Sequence, residues 1–187
     1  MRAHLLITGF GPFPGVADNP TARAALTLDG ATLSGLRVAG RVVPTSWARA
    51  WPTLHAAVAA LRPHAVLMLG VAARRSLIEV ELVARNHAAA RADVDGDLGP
   101  GGEVLPGAPA TLRTRLPWEA LLGEGVAASE DAGDYLCNAL FYRALHDLRP
   151  SFVGFVHVPD GPVGPTLAFV GRVAARLVTL GVNEALS

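Results

Sequence analysis

Hydrophobic and polar positions along this 187-residue chain switch repeatedly between a short, continuous period and a helical one. Residues 4–8 are an apolar run stopped by Gly-Phe-Gly-Pro-Phe-Pro-Gly, the pattern of a buried strand emptying into a loop at its carboxyl end. Asn19-Pro20-Thr21 then suits a helix entry, with Pro20 at the first helical position and Asn19 or Asp18 as its cap. Residues 38–43 read as a second strand ended by Pro44. From residue 46 to 61, Trp47, Trp51, Leu54, Val58 and Leu61 recur at steps of four and three, which predicts a helix with one face on a sheet.

The second half repeats the theme. Residues 65–69 are a continuous apolar strand. Residues 78–84 alternate, placing Glu79 and Glu81 on one face and Ile78, Val80 and Leu82 on the other. An acid facing inward here needs a partner from elsewhere in the chain. Residues 86–117 are rich in Gly, Pro, Ala and Asp and carry little periodicity, so they read as a long loop of the kind that serves a site, an interface or a lid. Ser129, Asp131 and Asp134 are capping-type residues, and Leu136, Leu140 and Leu145 form an apolar stripe, so a helix is expected to begin between Asp131 and Asp134. Residues 152–158 form an apolar strand containing His157, and residues 166–180 an amphipathic helix with Arg172 and Arg176 on its wet side. Two-sided apolar strands separated by helices predict an α/β fold, a three-layer α/β/α sandwich with a mainly parallel central sheet.

Composition narrows the class. With 51% hydrophobic residues and no compositional break, residues 1–187 read as a single domain. Sixteen basic residues, all arginine, balance sixteen acidic ones, so charge offers no argument for nucleic acid or an anionic membrane as partner. The N-terminus meets Gly and Pro too soon for a signal peptide and no apolar run reaches membrane-spanning length, which predicts a cytoplasmic enzyme or binding protein. A single cysteine forms no internal disulfide, and the Cys and His spacing of a structural zinc site is absent. Asp93-Val-Asp-Gly-Asp departs from a calcium loop because its glycine falls at the fourth position, and the loop after residue 8 departs from a dinucleotide fingerprint because Pro14 stands where glycine is needed.

The candidate chemistry centres on Cys137. At a helix start, unpaired N–H groups and the helix dipole favour a thiolate, although a lone cysteine is also a common small core residue. A cysteine nucleophile needs a base and gains from a group that orients it. His146 follows Cys137 by nine residues and points to the opposite side of the helix, while His4 belongs at the amino edge of the sheet and His55 and His64 at a surface helix and its end. His157 lies at the carboxyl end of a strand, the edge that a cysteine at a helix amino end also faces. Cys137 and His157 therefore form the expected pair, while alternation leaves Glu79 and Glu81 undistinguished.

Several spaced stretches, Thr-Gly-Phe-Gly-Pro-Phe with Asn-Pro-Thr at Asn19, Glu-Leu-Val-Ala-Arg-Asn at Glu81, the region of Arg91, Ser-Glu-Asp-Ala-Gly-Asp-Tyr-Leu-Cys-Asn at Ser129 and Gly-Phe-Val-His-Val-Pro at Gly154, occur in the order found in pyroglutamyl peptidase I, peptidase family C15, which the chain resembles over most of its length. The resemblance implies a Cys-His-Glu triad of Cys137, His157 and Glu81, choosing Glu81 over Glu79. It further implies an α/β/α sandwich, a homotetramer or dimer, no metal or cofactor, and removal of N-terminal pyroglutamyl residues from peptides. On that reading Phe10 and Phe13 wall a lactam pocket, Asn19 orders its loop or caps the helix, and Arg91 helps meet the oxyanion. The chain departs from the family pattern at Val71 and Leu82, where glutamine and arginine are usual, and at residues 87–91. Two alternatives stand beside it: a non-catalytic or weakly active homologue binding pyroglutamyl-type ligands, and a transferase on a related sandwich gripping an anion with residues 9–15.

Overall fold

The computed structural model describes residues 3–13 and 15–182; Pro14, within the expected ligand loop, lies outside the described residues. Strands β1 (Leu5–Phe10), β2 (Thr32–Leu33), β3 (Leu36–Val43), β4 (Ala65–Val71), β5 (Ile78–Glu81), β8 (Val126–Ser129) and β9 (Phe152–Val158) form one sheet in the order β2-β3-β1-β4-β9-β5-β8. The pairs β1–β3, β1–β4, β4–β9 and β5–β8 are parallel, while β5 runs antiparallel to β9 and β2 to β3. Two short strands, β6 (Val83–Arg85) and β7 (Thr111–Arg113), pair separately. Among the described residues no helix is long and apolar enough to cross a membrane.

Helices α1 (Pro20–Leu28) and α4 (Gly164–Thr179) pack on one face of the sheet with Leu5, Ile7, Leu67, Leu69, Val156 and Val158. Helices α2 (Ala50–Leu61) and α3 (Leu136–Asp147) cover the other with Leu6, Val66, Met68, Val153 and Phe155. Odd and even positions of each central strand thus serve different layers, which is why these strands read as continuous apolar runs. Burial on this scale, at about 25 cal/mol per Å² of apolar surface, is the main drive of folding. Gly40 lets α1 sit directly on β3, since a Cβ there would come within 1.7 Å of the Ala25 carbonyl oxygen.

Three expectations change. The helix predicted from residue 46 begins at Ala50, and the indole of Trp47, ahead of it, donates instead to the Arg91 carbonyl. The cysteine helix begins at Leu136 rather than between Asp131 and Asp134, because Ser129 Oγ accepts from the Asp131 N–H (3.1 Å) and Asp131 Oδ1 from that of Gly133 (3.1 Å). These side chains close local turns, an alternative to the helix that their residue types favour. Residues 86–117, expected as a loop, contain β7 and lie tied down: Asn86 hydrogen-bonds Leu105 and Ala108, and the Tyr142 hydroxyl donates to Pro109 O.

Candidate active site

Cys137 is the second residue of α3. Tyr135, at the cap position, supplies no capping hydrogen bond to the helix, its hydroxyl donating instead to the Ala92 carbonyl (3.0 Å), and the first helical bond runs from the Ala139 N–H to the Tyr135 carbonyl. The N–H groups of the first turn therefore point toward the end of the helix without a side-chain cap, a natural place for developing negative charge. The next residue, Asn138, is buried and holds this end in place: its amide donates to the carbonyls of Arg85 and His87 and its oxygen accepts from the Arg85 N–H, all at 2.8 Å.

His157 occupies the penultimate position of β9 and faces the α2–α3 layer. Across the sheet it lies opposite Gly70 of β4 and Glu79 of β5. Gly70 makes room for the cysteine: a Cβ there would stand 2.7 Å from the Phe155 ring and 3.0 Å from Cys137 Sγ. Glu81, one step along the same face of β5, is fully buried, and its Oε1 lies 2.6 Å from His157 Nδ1. Residue alternation put Glu79 and Glu81 on one face, as observed; burial and the contact with His157 separate them, since Glu79 is partly exposed while both acids pair with Arg75. With Nδ1 engaged, the other imidazole nitrogen is left for the thiol side.

Burial opposes charge on His157, but hydrogen bonding to Cys137 and Glu81, together with their negative charge, outweighs it and raises the imidazole from 6.5 to about 9. Burial likewise opposes ionisation of Glu81, yet its carboxyl is held below the ordinary range by His157, with Ser129 and Arg75 assisting. Ser129 is the cross-strand neighbour of Glu81, while Oε2 has no partner within hydrogen-bonding geometry. Arg75, in the loop after β4, reaches Glu81 Oε1 at 2.5 Å and donates to the Asp131 carbonyl at 2.6 Å.

Cys137 and His157 open onto a cavity of about 320 Å³. Phe10, Phe13, Asn19 and Arg91 all line it, as does Val71. Phe10 is buried and packs on Phe155 (centroids 6.4 Å apart), so it belongs to both core and wall. The Asn19 side chain is committed to structure: Oδ1 accepts from the Thr21 N–H and hydroxyl, and Nδ2 donates to Gly11 O, so it caps α1 and orders the loop at once. The Arg91 guanidinium bonds Asp134 (2.9 Å) and lies over the Tyr135 ring. A larger open cleft, about 500 Å³, lies at the opposite sheet edge beside His55 and His64, where Arg62 and Arg149 meet the carboxyl ends of α2 and α3. Cations there complement two helix dipoles. The carboxylates of Asp93, Asp95 and Asp97 lie within 4.8 Å of one another, but Asp93 accepts the N–H groups of Trp47, Asp95 and Asp97, and Asp95 pairs with Arg49.

A cysteine at a helix start, a buried imidazole and a carboxylate behind it are the parts of a thiol hydrolase, and comparison with known proteins specifies which kind. The sequence model of the family described as pyroglutamyl peptidase matches residues 3–167. The chain belongs to this family. A pyrrolidone-carboxylate peptidase of Pyrococcus furiosus is 36% identical over 95% of this chain and 96% of its own, and one of Gloeobacter violaceus 35% identical over 94% and 90%. Among solved structures, the pyrrolidone carboxyl peptidase of Thermococcus litoralis superposes with a TM-score of 0.86 at 30% identity, covering 98% of this chain and 96% of that one. Pyroglutamyl peptidase I of Bacillus amyloliquefaciens gives 0.86 at 28% identity, covering 92% and 95%. In this pyroglutamyl peptidase family member, motif reading had not singled out Arg75, Gly70 or Asn138. Arg75 sits in a loop without periodicity, so residue order alone gives no signal for it.

Proposed function

We propose that the protein is a cysteine peptidase that removes N-terminal pyroglutamyl residues from peptides, with Cys137 as nucleophile, His157 as acid–base and Glu81 as its orienting group. The observation carrying this reading is the line from buried Glu81 through His157 to Cys137 at the floor of one cavity, in a chain of this family. His157 takes the thiol proton, and Sγ attacks the carbonyl carbon of the pyroglutamyl residue. The oxyanion is met by the free N–H groups at the start of α3. The imidazolium then protonates the leaving amine as the C–N bond breaks, giving a thioester; water, deprotonated by His157, cleaves it and restores the thiol. A neutral lactam suits walls made by Phe10 and Phe13, and it needs no carboxylate to meet an ammonium group. Arg91 serves by holding the Asp134–Tyr135 wall.

Release of a fluorogenic amine from a pyroglutamyl amide, against alanyl and glutamyl analogues, tests the reading. Wild type is expected to cleave only the pyroglutamyl amide under reducing conditions, and Cys137→Ser to lose the activity. Absence of turnover in wild type overturns it, and tight binding of pyroglutamyl peptides in that case would mark a capture protein. The enzyme is further expected to work in the cytoplasm as a homo-oligomer, dimer or tetramer; a light-scattering mass equal to the 19.4 kDa chain would exclude the assembly.

A further inference from the structure

Glu81 Oε1 accepts from two donors at once, His157 Nδ1 at 2.6 Å and Arg75 Nη1 at 2.5 Å. The same Nη1 lies 2.6 Å from Glu79 Oε2, and Glu79 is the residue directly opposite His157 in the β5–β9 pairing. Nη2 meanwhile donates to the Asp131 carbonyl, in the turn that precedes α3. Arg75 is thus fastened to both carboxylates on the His157 face and to the segment leading to Cys137. It lies behind the triad and is absent from the cavity wall, whereas its neighbour Arg74 lines that wall.

Resting on the proposed peptidase reading, we infer that Arg75 is a positioning residue that holds Glu81 against His157 and, by sharing the carboxylate, limits how tightly the imidazolium keeps its proton. The charge balance gives the reason. When His157 is protonated, Arg75 and His157 supply two positive charges against the two negative charges of Glu79 and Glu81. Without Arg75 a single imidazolium faces both carboxylates. Opposite charge within about 4–6 Å favours the charged form, so the proton would be bound more tightly. The reaction needs that proton to move twice, from the thiol to His157 and from His157 to the leaving amine, and an imidazolium that is too stable gives it up slowly.

The remaining groups around His157 are the same with or without Arg75: the negative charge of Cys137 adds to the hold on the proton in both cases, so the difference made by Arg75 stands. From α3 the facing group is Cys137, from β4 Gly70, which carries no charge, and from β5 the two glutamates. Arg74, Arg91 and Asp134 lie on the cavity wall, with Arg91 and Asp134 paired to each other; Asp160, beyond the end of β9, is exposed.

The test compares wild type with Arg75→Gln, Arg75→Lys and Arg75→Gln/Glu79→Gln. For Arg75→Gln, kcat on the pyroglutamyl amide is expected to fall with little change in KM, and the basic limb of kcat/KM to move upward by about one pH unit, a tenfold tighter hold on the proton. Arg75→Lys should restore most of kcat and the limb. The double variant, with one cation facing one carboxylate, should bring the limb back toward the wild-type position. An unmoved or lowered limb in Arg75→Gln, or a loss confined to KM, overturns the proposal. Titration of the His157 ring by NMR in the same variants reads the proton affinity without any substrate, with an upward shift expected for Arg75→Gln. It therefore separates failure of this inference from failure of the peptidase reading.

Discussion

The two sides of the cavity are built by different means. On the side of β5, β9 and α3, the chemistry rests on regular structure: His157 is fixed by strands on both flanks, Glu81 is fully buried, and Cys137 follows from the start of a helix anchored by Asn138. On the facing side, Phe13, Arg91 and Asp134 come from irregular segments, and the Arg91–Asp134 pair has side chains 58% and 51% exposed. Buried pairs depend steeply on their geometry, whereas exposed pairs contribute little to stability. The side proposed to react is therefore over-determined, and the side proposed to recognise substrate is free to vary at small cost to the fold.

The comparison is broken most severely at Glu81. Glu81→Gln leaves the Arg75 guanidinium and the His157 imidazolium without the charge they share, and removing one partner of a buried pair costs about 3–5 kcal/mol. Urea unfolding should show this loss together with a large fall in kcat. The pH dependence gives the sign. His157 has its folded value raised from 6.5 to about 9, so its stabilisation is complete below 6.5 and lost as pH rises through about 9. Glu81 has its folded value lowered from 4.5, so its contribution is complete above 4.5 and lost as pH falls through the lower, folded value. The difference between wild type and variant should therefore be fullest between 4.5 and 6.5 and shrink toward pH 10. A gap of constant size across that range would show that the pair does not act through charge.

A smaller effect is expected at Gly70, where the strand itself makes space for the site. Gly70→Ala sets a methyl 2.7 Å from the Phe155 ring and 3.0 Å from Cys137 Sγ. Overpacking of this kind costs about 1–3 kcal/mol. Because Phe155 also packs against Phe10, Phe141 and His157, the displacement spreads to both walls of the cavity. A shift of about 1 Å in a reacting group can reduce turnover about a hundredfold, so kcat should fall further than stability alone explains. Thermal melting and kcat measured on the same preparation check this, and unchanged kcat would mean that Sγ has room to retreat.

The same division decides what could be read from residue order. Strand β9 was legible at both ends, because an apolar run closed by Val-Pro-Asp-Gly leaves little choice. The pairing of Cys137 with His157 followed from placing a helix start and a strand end at one sheet edge. The selection of Glu81 over Glu79 did not follow from alternation, because both sit on one face; the deciding contacts are with His157, 76 positions away, and with Arg75 in a loop. The start of α3 was misread because Ser129 and Asp131 have the chemistry of caps and use it to close turns. Residues 86–117 read only as a long loop because their order comes from distant partners, such as the Tyr142 hydroxyl on Pro109 and Asp93 on Trp47. Periodicity reports which face is buried; it is silent on which polar groups meet there.

The smallest effect is expected where the facing side is held by exposed charge. Arg91→Gln removes the bond to Asp134 and the cation over Tyr135, yet the Arg91 carbonyl still accepts from the Trp47 indole, so the segment stays attached through its backbone. An exposed pair contributes about 0–1 kcal/mol, and melting should barely change. If Arg91 only braces the wall, KM for the pyroglutamyl amide rises a few-fold with kcat intact. Wild type should then approach the variant in 1 M salt, where the screening length is about 3 Å. If Arg91 instead turns inward to meet the oxyanion, kcat falls by about 10²–10³, as for loss of an oxyanion donor, and salt leaves KM unaltered. The second pattern would move Arg91 from the variable side of the cavity to the reacting side, and the contrast between the two walls would then run through the loop rather than between the loop and the sheet.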